Sequence, residues 1–185
     1  MPAMNAKPSR KTEDKDMNKL IASFQVDHTR IGYGIFVSRR DMVNGAYVTT
    51  FDIRMKRPNA EPAIHPNAMH TIEHVVATYL RNSPFRDHVV YWGPMGCLTG
   101  FYFLTGTAHA IMPREIESLM RRAFRHLANY RGAVPGATPA SCGNYLLHDL
   151  PTAKFEARAF LAKKWAFDYP SARRAKAGSR VFFDA

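Results

Sequence analysis

The stretch MHTIEH, residues 69–74, sets two histidines four positions apart with a glutamate directly before the second. On an α-helix such positions share one face, a turn apart, so His70 and His74 can reach a single metal ion. Glu73 lies beside His74 and three positions from His70. It can project next to the ion without binding it, which is the place for a general acid/base. Two imidazoles do not complete a tetrahedral site; a third ligand and an open position are also required. Cys142, in the turn-like SCGNY, is one candidate, because a thiolate binds Zn(II) or Fe(II) well.

Other readings of the same residues stand beside this one. An H-x-x-E-H helix also occurs in inverted zinc peptidases, which take a carboxylate from a downstream helix as third ligand. Glu115, Glu117 and Glu156 are available for that. Two histidines at this spacing also occur on ordinary amphipathic helices. The second cysteine, Cys97, sits in GPMGCLTG just before an apolar run. Its glycines permit close approach of backbone to a ligand. A thiolate near a metal would have a lowered pKa and could move protons; the plain alternative is a small residue at a strand start.

The elements that must position these groups are legible in outline. Residues 1–19 are polar, charged and proline-containing, and are expected to be a disordered tail. Residues 22–30 read as extended. GYGIFVSRR and AYVTTFDIRM flank the turn VNG and predict an antiparallel hairpin, with Tyr47, Thr49, Phe51, Ile53 and Met55 on one face. A helix is expected from a cap at Asn67 to about Asn82. The segment SPFRDHVVYWGPMG reads as a helix break and loop, and GFYFLTGTAHAIM as a buried strand. PREIESLMRRAFRHLANY is an amphipathic helix with an apolar stripe at Ile116, Leu119, Met120, Ala123, Phe124 and Leu127. A last helix is expected over 150–167. Hairpins mixed with helices predict an α+β fold, an antiparallel sheet packed with helices.

Composition narrows the function. The chain has 185 residues, enough for one core, and 46% hydrophobic residues. No run reaches the ~18 apolar residues of a membrane span, and the N-terminus lacks a signal-peptide core. A cytoplasmic protein is expected, without a membrane partner. The formal net charge is +11, but the basic residues are scattered and accompany no nucleic-acid-binding motif, so no specific nucleic-acid partner is expected. A non-catalytic basic binding module is the remaining alternative.

Five motifs, ASFQVDHT, FDIRM, HTIEH, GPMGCLTGFY and CGNYLLHDL, occur in an order that resembles the S-ribosylhomocysteine lyase (LuxS) family over roughly residues 20–166. The resemblance implies a LuxS/metallopeptidase-like α+β domain over 20–168, with a basic tail at 169–185. It implies His70, His74 and Cys142 as metal ligands, Fe(II) as the ion with Zn(II) or Co(II) able to replace it, and Glu73 and Cys97 as acid/bases. Ser23, His28 and Arg54 match the family's substrate contacts. The implied reaction moves a carbonyl along the ribose, with the metal as Lewis acid. β-Elimination then yields homocysteine and 4,5-dihydroxy-2,3-pentanedione, the autoinducer-2 precursor. The implied assembly is a homodimer with the site at the subunit interface. The chain departs from the family pattern at Leu98, where many members carry arginine, and at YWGPMGC, where many read DISPMGC. Without that arginine, the metal and a helix dipole are the expected stabilisers of a Cys97 thiolate.

Overall fold

Asn44 and Gly45 take φ values of 49° and 81°, the left-handed pair that a two-residue hairpin turn requires. They join β1 (Gly34–Val43) to β2 (Ala46–Arg54) as the VNG signal predicts. The computed structural model describes residue 24 and residues 26–170. Ser23, the 1–19 tail and the chain beyond residue 170 lie outside the described residues.

The other strands are β3 (Val89–Pro94) and β4 (Gly100–Thr107), and the four form an antiparallel sheet in the order β1-β2-β4-β3. The α+β expectation holds. Strand β3 replaces the expected loop. Its Gly93 and Pro94 read as breakers, yet Trp92 is buried and stacks on Phe101 of β4 with centroids 4.7 Å apart. Val89–Trp92 are strand formers, and burying an aromatic surface of that size outweighs the two breakers that follow.

Three long α-helices, α1 (Pro66–Arg81), α2 (Pro113–Ala128) and α3 (Leu150–Leu161), and a short 3-10 turn at Arg86–His88 accompany the sheet. Helix α1 begins one residue before Asn67. Pro66 suits a first helical position, and His65 is the cap, its ring accepting from the Asn67 N–H at 3.3 Å. Met69, Ile72, Val75, Val76 and Leu80 bury the core face of α1, which leaves His70, Glu73 and His74 at its margin. All six residues of the predicted α2 stripe are buried. Helix α3 stops six residues before the expected end. Trp165 folds back to stack on Phe160 at 4.3 Å and donates to its carbonyl. Ala166 then pairs with Gly34, where an added Cβ would lie 2.0 Å from the Ala166 oxygen; only glycine admits that approach.

Phe51 and Ile53 of β2 and Phe101 and Phe103 of β4 join the helices in one core. The opposite face of β2 is also covered at its end, since Asp52 and Arg54 are each only 2% exposed. Among the described residues no helix is long and apolar enough to cross a membrane.

Candidate metal centre and thiol site

His70 and His74 project from the margin of α1 with ring centroids 4.5 Å apart. Each is oriented by a backbone carbonyl from a loop. The Nδ1 of His70 lies 2.8 Å from the Leu147 oxygen, and that of His74 lies 2.7 Å from the Pro135 oxygen. A carbonyl only accepts, so both Nδ1 atoms carry the proton and both Nε2 atoms present a lone pair. Cys142 Sγ lies 3.4 Å from His70 Nε2.

A fourth donor, which sequence reasoning missed, completes the cluster: His148. One donor atom from each of His70, His74, Cys142 and His148 lies within 4.8 Å of all the others. The signal was available, because His148 lies inside CGNYLLHDL, six residues after Cys142. Burial first, then His70 and His74, holds the His148 imidazole below its ordinary range, in the neutral form that offers a lone pair. Three imidazoles whose Nδ1 atoms are already hydrogen-bonded, together with a thiol, suit a borderline-soft divalent ion. The donor set therefore fits a metal.

The carboxylates of the peptidase alternative are engaged elsewhere. Glu115 accepts from the Met112 N–H at 2.7 Å and caps α2, Glu117 pairs with Arg121 at 2.7 Å, and Glu156 pairs with Lys56 at 2.7 Å. None belongs to the cluster. Glu73, His70 and Cys142 instead line a cleft of about 420 Å³, together with Met95, Gly96 and Leu98 from the turn that carries Cys97.

Cys97 is exposed at the tip of that turn. Leu98 follows with φ 57°, a left-handed conformation uncommon outside glycine, held by hydrogen bonds to Met95 and Ile64. The thiol environment is built from β2 and the start of β4. Arg54 Nη1 donates to Thr99 Oγ1 at 2.6 Å and approaches Cys97 Sγ at 3.7 Å. With that acceptor role filled by Arg54, the Thr99 hydroxyl proton is free to point at Cys97 Sγ, 3.1 Å away. Partial burial pushes the thiol up. Hydrogen bonds from the Thr99 hydroxyl and N–H, then the Arg54 charge, outweigh it, and the net pKa lies below the ordinary thiol value. The cation that Leu98 cannot supply thus comes from Arg54, a donor not foreseen beside the metal and helix dipole.

Arg54 would pass as a surface residue by sequence alone; in the fold it is buried. Its Nε and Nη2 form a fork onto the Asp52 carboxylate, with Nε–Oδ1 at 3.0 Å. Tyr169, which the sequence reading put first in the basic tail, stacks on Phe36 with centroids 4.7 Å apart and donates to Asp52 at 3.0 Å. His28 lines the same small pocket as Asp52, Arg54 and Tyr169, its Nδ1 2.8 Å from the Val26 oxygen. The structure therefore groups His28 with Arg54, and His70, His74 and Cys142 with Glu73. Arg54 reaches Cys97 between the two groups.

A family model described as S-ribosylhomocysteinase (LuxS) matches residues 21–169. An S-ribosylhomocysteine lyase of Phocaeicola vulgatus is 57% identical over 144 residues, covering 77% of this chain and 88% of the relative. Proteins of the same name from Desulfotalea psychrophila and Borreliella burgdorferi are 46% and 43% identical, each over 77% of this chain and 89% and 90% of the relative.

Proposed function

Because the chain belongs to the S-ribosylhomocysteinase (LuxS) family, we propose that it is a metal-dependent carbon–sulfur lyase. It cleaves S-ribosylhomocysteine to homocysteine and 4,5-dihydroxy-2,3-pentanedione. The observation that carries this reading is the convergence of His70, His74 and Cys142 on one locus beside Glu73, in the same cleft as the Cys97 turn.

His70 and His74, through Nε2, and Cys142, through Sγ, would hold the ion, for which the family resemblance implies Fe(II), with Zn(II) or Co(II) able to replace it. When bound, it supplies a Lewis acid that polarises a sugar oxygen without changing oxidation state. Cys97 Sγ, its pKa lowered by Thr99 and Arg54, takes as thiolate a proton from the carbon beside a carbonyl and returns one to the neighbouring carbon, so the carbonyl migrates. The Glu73 carboxylate exchanges protons on the other side of the sugar. Once the carbonyl is two carbons from the thioether carbon, removal of the proton between them expels the homocysteine sulfur. Ser23, His28 and Arg54 bind the substrate's polar groups. A homodimer with the site at the subunit interface agrees with the exposed Val90 and Tyr91 on edge strand β3. Two free thiols of functional use suit a reducing cytoplasm.

The test is thiol release. Anaerobic protein loaded with Fe(II) or Co(II) is mixed with S-ribosylhomocysteine, and homocysteine is followed with a thiol reagent. Catalytic release that disappears in Glu73→Ala and Cys97→Ala is expected. Absence of release from the metal-loaded wild type would overturn the proposal.

A further inference from the structure

His148, like the two histidines of α1, is oriented through its Nδ1, but by a side chain. Thr71 Oγ1 donates its proton to the Asn67 carbonyl at 2.8 Å and accepts from the Asp149 N–H at 2.8 Å. Its remaining lone pair faces His148 Nδ1 at 3.3 Å. Since the hydroxyl proton is committed to Asn67, His148 Nδ1 must be the donor. The lone pair then sits on Nε2, which is buried without a hydrogen-bond partner among the described residues. The ring stacks on His70 with centroids 4.2 Å apart and meets His74 edge-on at 4.8 Å. A buried acceptor left bare is costly, so this nitrogen needs a partner arriving with the bound ion. Catalytic sites keep one coordination position open for water or substrate, and His70, His74 and Cys142 supply three ligands without it.

We propose that His148 Nε2 accepts a hydrogen bond from the oxygen that occupies the open position of the metal centre, water at rest and a sugar oxygen during turnover. This rests on the lyase reading for the three-ligand centre with its open position and for the identity of the second oxygen. His148 is thus a further residue of the centre that is not one of its ligands, and Thr71 is the residue that fixes its tautomer.

Cobalt binding tests it without reference to turnover. Co(II) affinity is measured by chelator competition, and the thiolate-to-cobalt absorption is recorded, for wild type, His148→Ala, His148→Asn and Cys142→Ala. Thermal unfolding of each metal-free protein is followed alongside. The expected result for His148→Ala is a roughly 10–100-fold loss of Co(II) affinity, the range for an outer partner of a metal site. Its thiolate band should be unchanged and its metal-free Tm should equal that of wild type, and free imidazole should restore part of the affinity. His148→Asn, which keeps an acceptor at the site, is expected to lose less. Unchanged affinity in both variants overturns the proposal. So does a change in the visible d–d bands of cobalt-saturated His148→Ala, which report the ligand set and would make His148 a ligand. A fall in metal-free Tm without imidazole rescue would reduce it to a packing residue.

Discussion

Thr99→Val isolates the hydroxyl that links Arg54 to Cys97. The substitution keeps the shape of a buried side chain while deleting a donor 3.1 Å from the sulfur. A hydrogen bond to a charged group is worth about 1.5–3 kcal/mol when buried. Cys97 is exposed, and solvent screening reduces that to about 1 kcal/mol. At about 1.4 kcal/mol per pKa unit, the thiol should rise by about 0.7 units. The thiolate fraction at pH 7, and with it the rate of alkylation, should fall roughly fivefold. The assay is iodoacetamide modification across pH 6–10, about two units around a free thiol, quantified on the Cys97 peptide, with the Cys142 peptide as internal reference. The folded state holds this thiol low, so the stability it contributes is present above the unfolded thiol's pKa and disappears as pH falls through the folded value. The part of the variant's stability deficit due to the thiolate should therefore be larger on the alkaline side. An unchanged or lowered Cys97 pKa in Thr99→Val would refute the relay and return the stabilising role to the metal and helix dipole.

Other outcomes follow from the same geometry. His70→Ala and Cys142→Ala should each bind far less metal by elemental analysis, whereas Glu115→Gln and Glu117→Gln should retain it; metal loss in the glutamine variants would revive the peptidase arrangement. Arg54→Met strands the Asp52 carboxylate in a buried site and should destabilise the metal-free protein by about 3–5 kcal/mol in urea unfolding. Adding Asp52→Leu should recover most of that, and failure to recover would mean the pair is not the origin. Asp149→Ala removes the side chain that accepts from the Thr152 N–H at 3.0 Å at the start of α3, and should cost about 1 kcal/mol. A thermal melt indistinguishable from wild type would contradict that.

The parts of this molecule that were legible in the sequence are those set by local periodicity and spacing. The hairpin, the apolar stripe of α2 and the shared face of His70, Glu73 and His74 all depend on residues a few positions apart. Strand β3 was hidden by Gly93 and Pro94, which read as breakers after the strand formers Val89–Trp92, and by a pairing with β4 that no local pattern displays. The burial of Arg54 was not legible either: alternation along β2 predicts an outward side chain, but Tyr169, His28 and Ile31, distant in sequence, gather at that end of the face. His148 escaped for a similar reason. Its distance from His70 along the chain hides a ring stack, and the Thr71 hydroxyl that orients it looks like any helix threonine.

The two α1 histidines owe their tautomers to main-chain oxygens, those of Pro135 and Leu147, and not to acidic side chains. The orienting groups are therefore properties of where two loops run. Side chains at positions 135 and 147 can drift without touching the ring orientation, provided the chain keeps its path. A one-residue insertion or deletion in either loop would shift the carbonyl and release the imidazole while leaving every ligand in the sequence. Homologues whose loops differ in spelling but not in length can thus share one metal centre, and loop length is the better guide to whether a distant relative retains it.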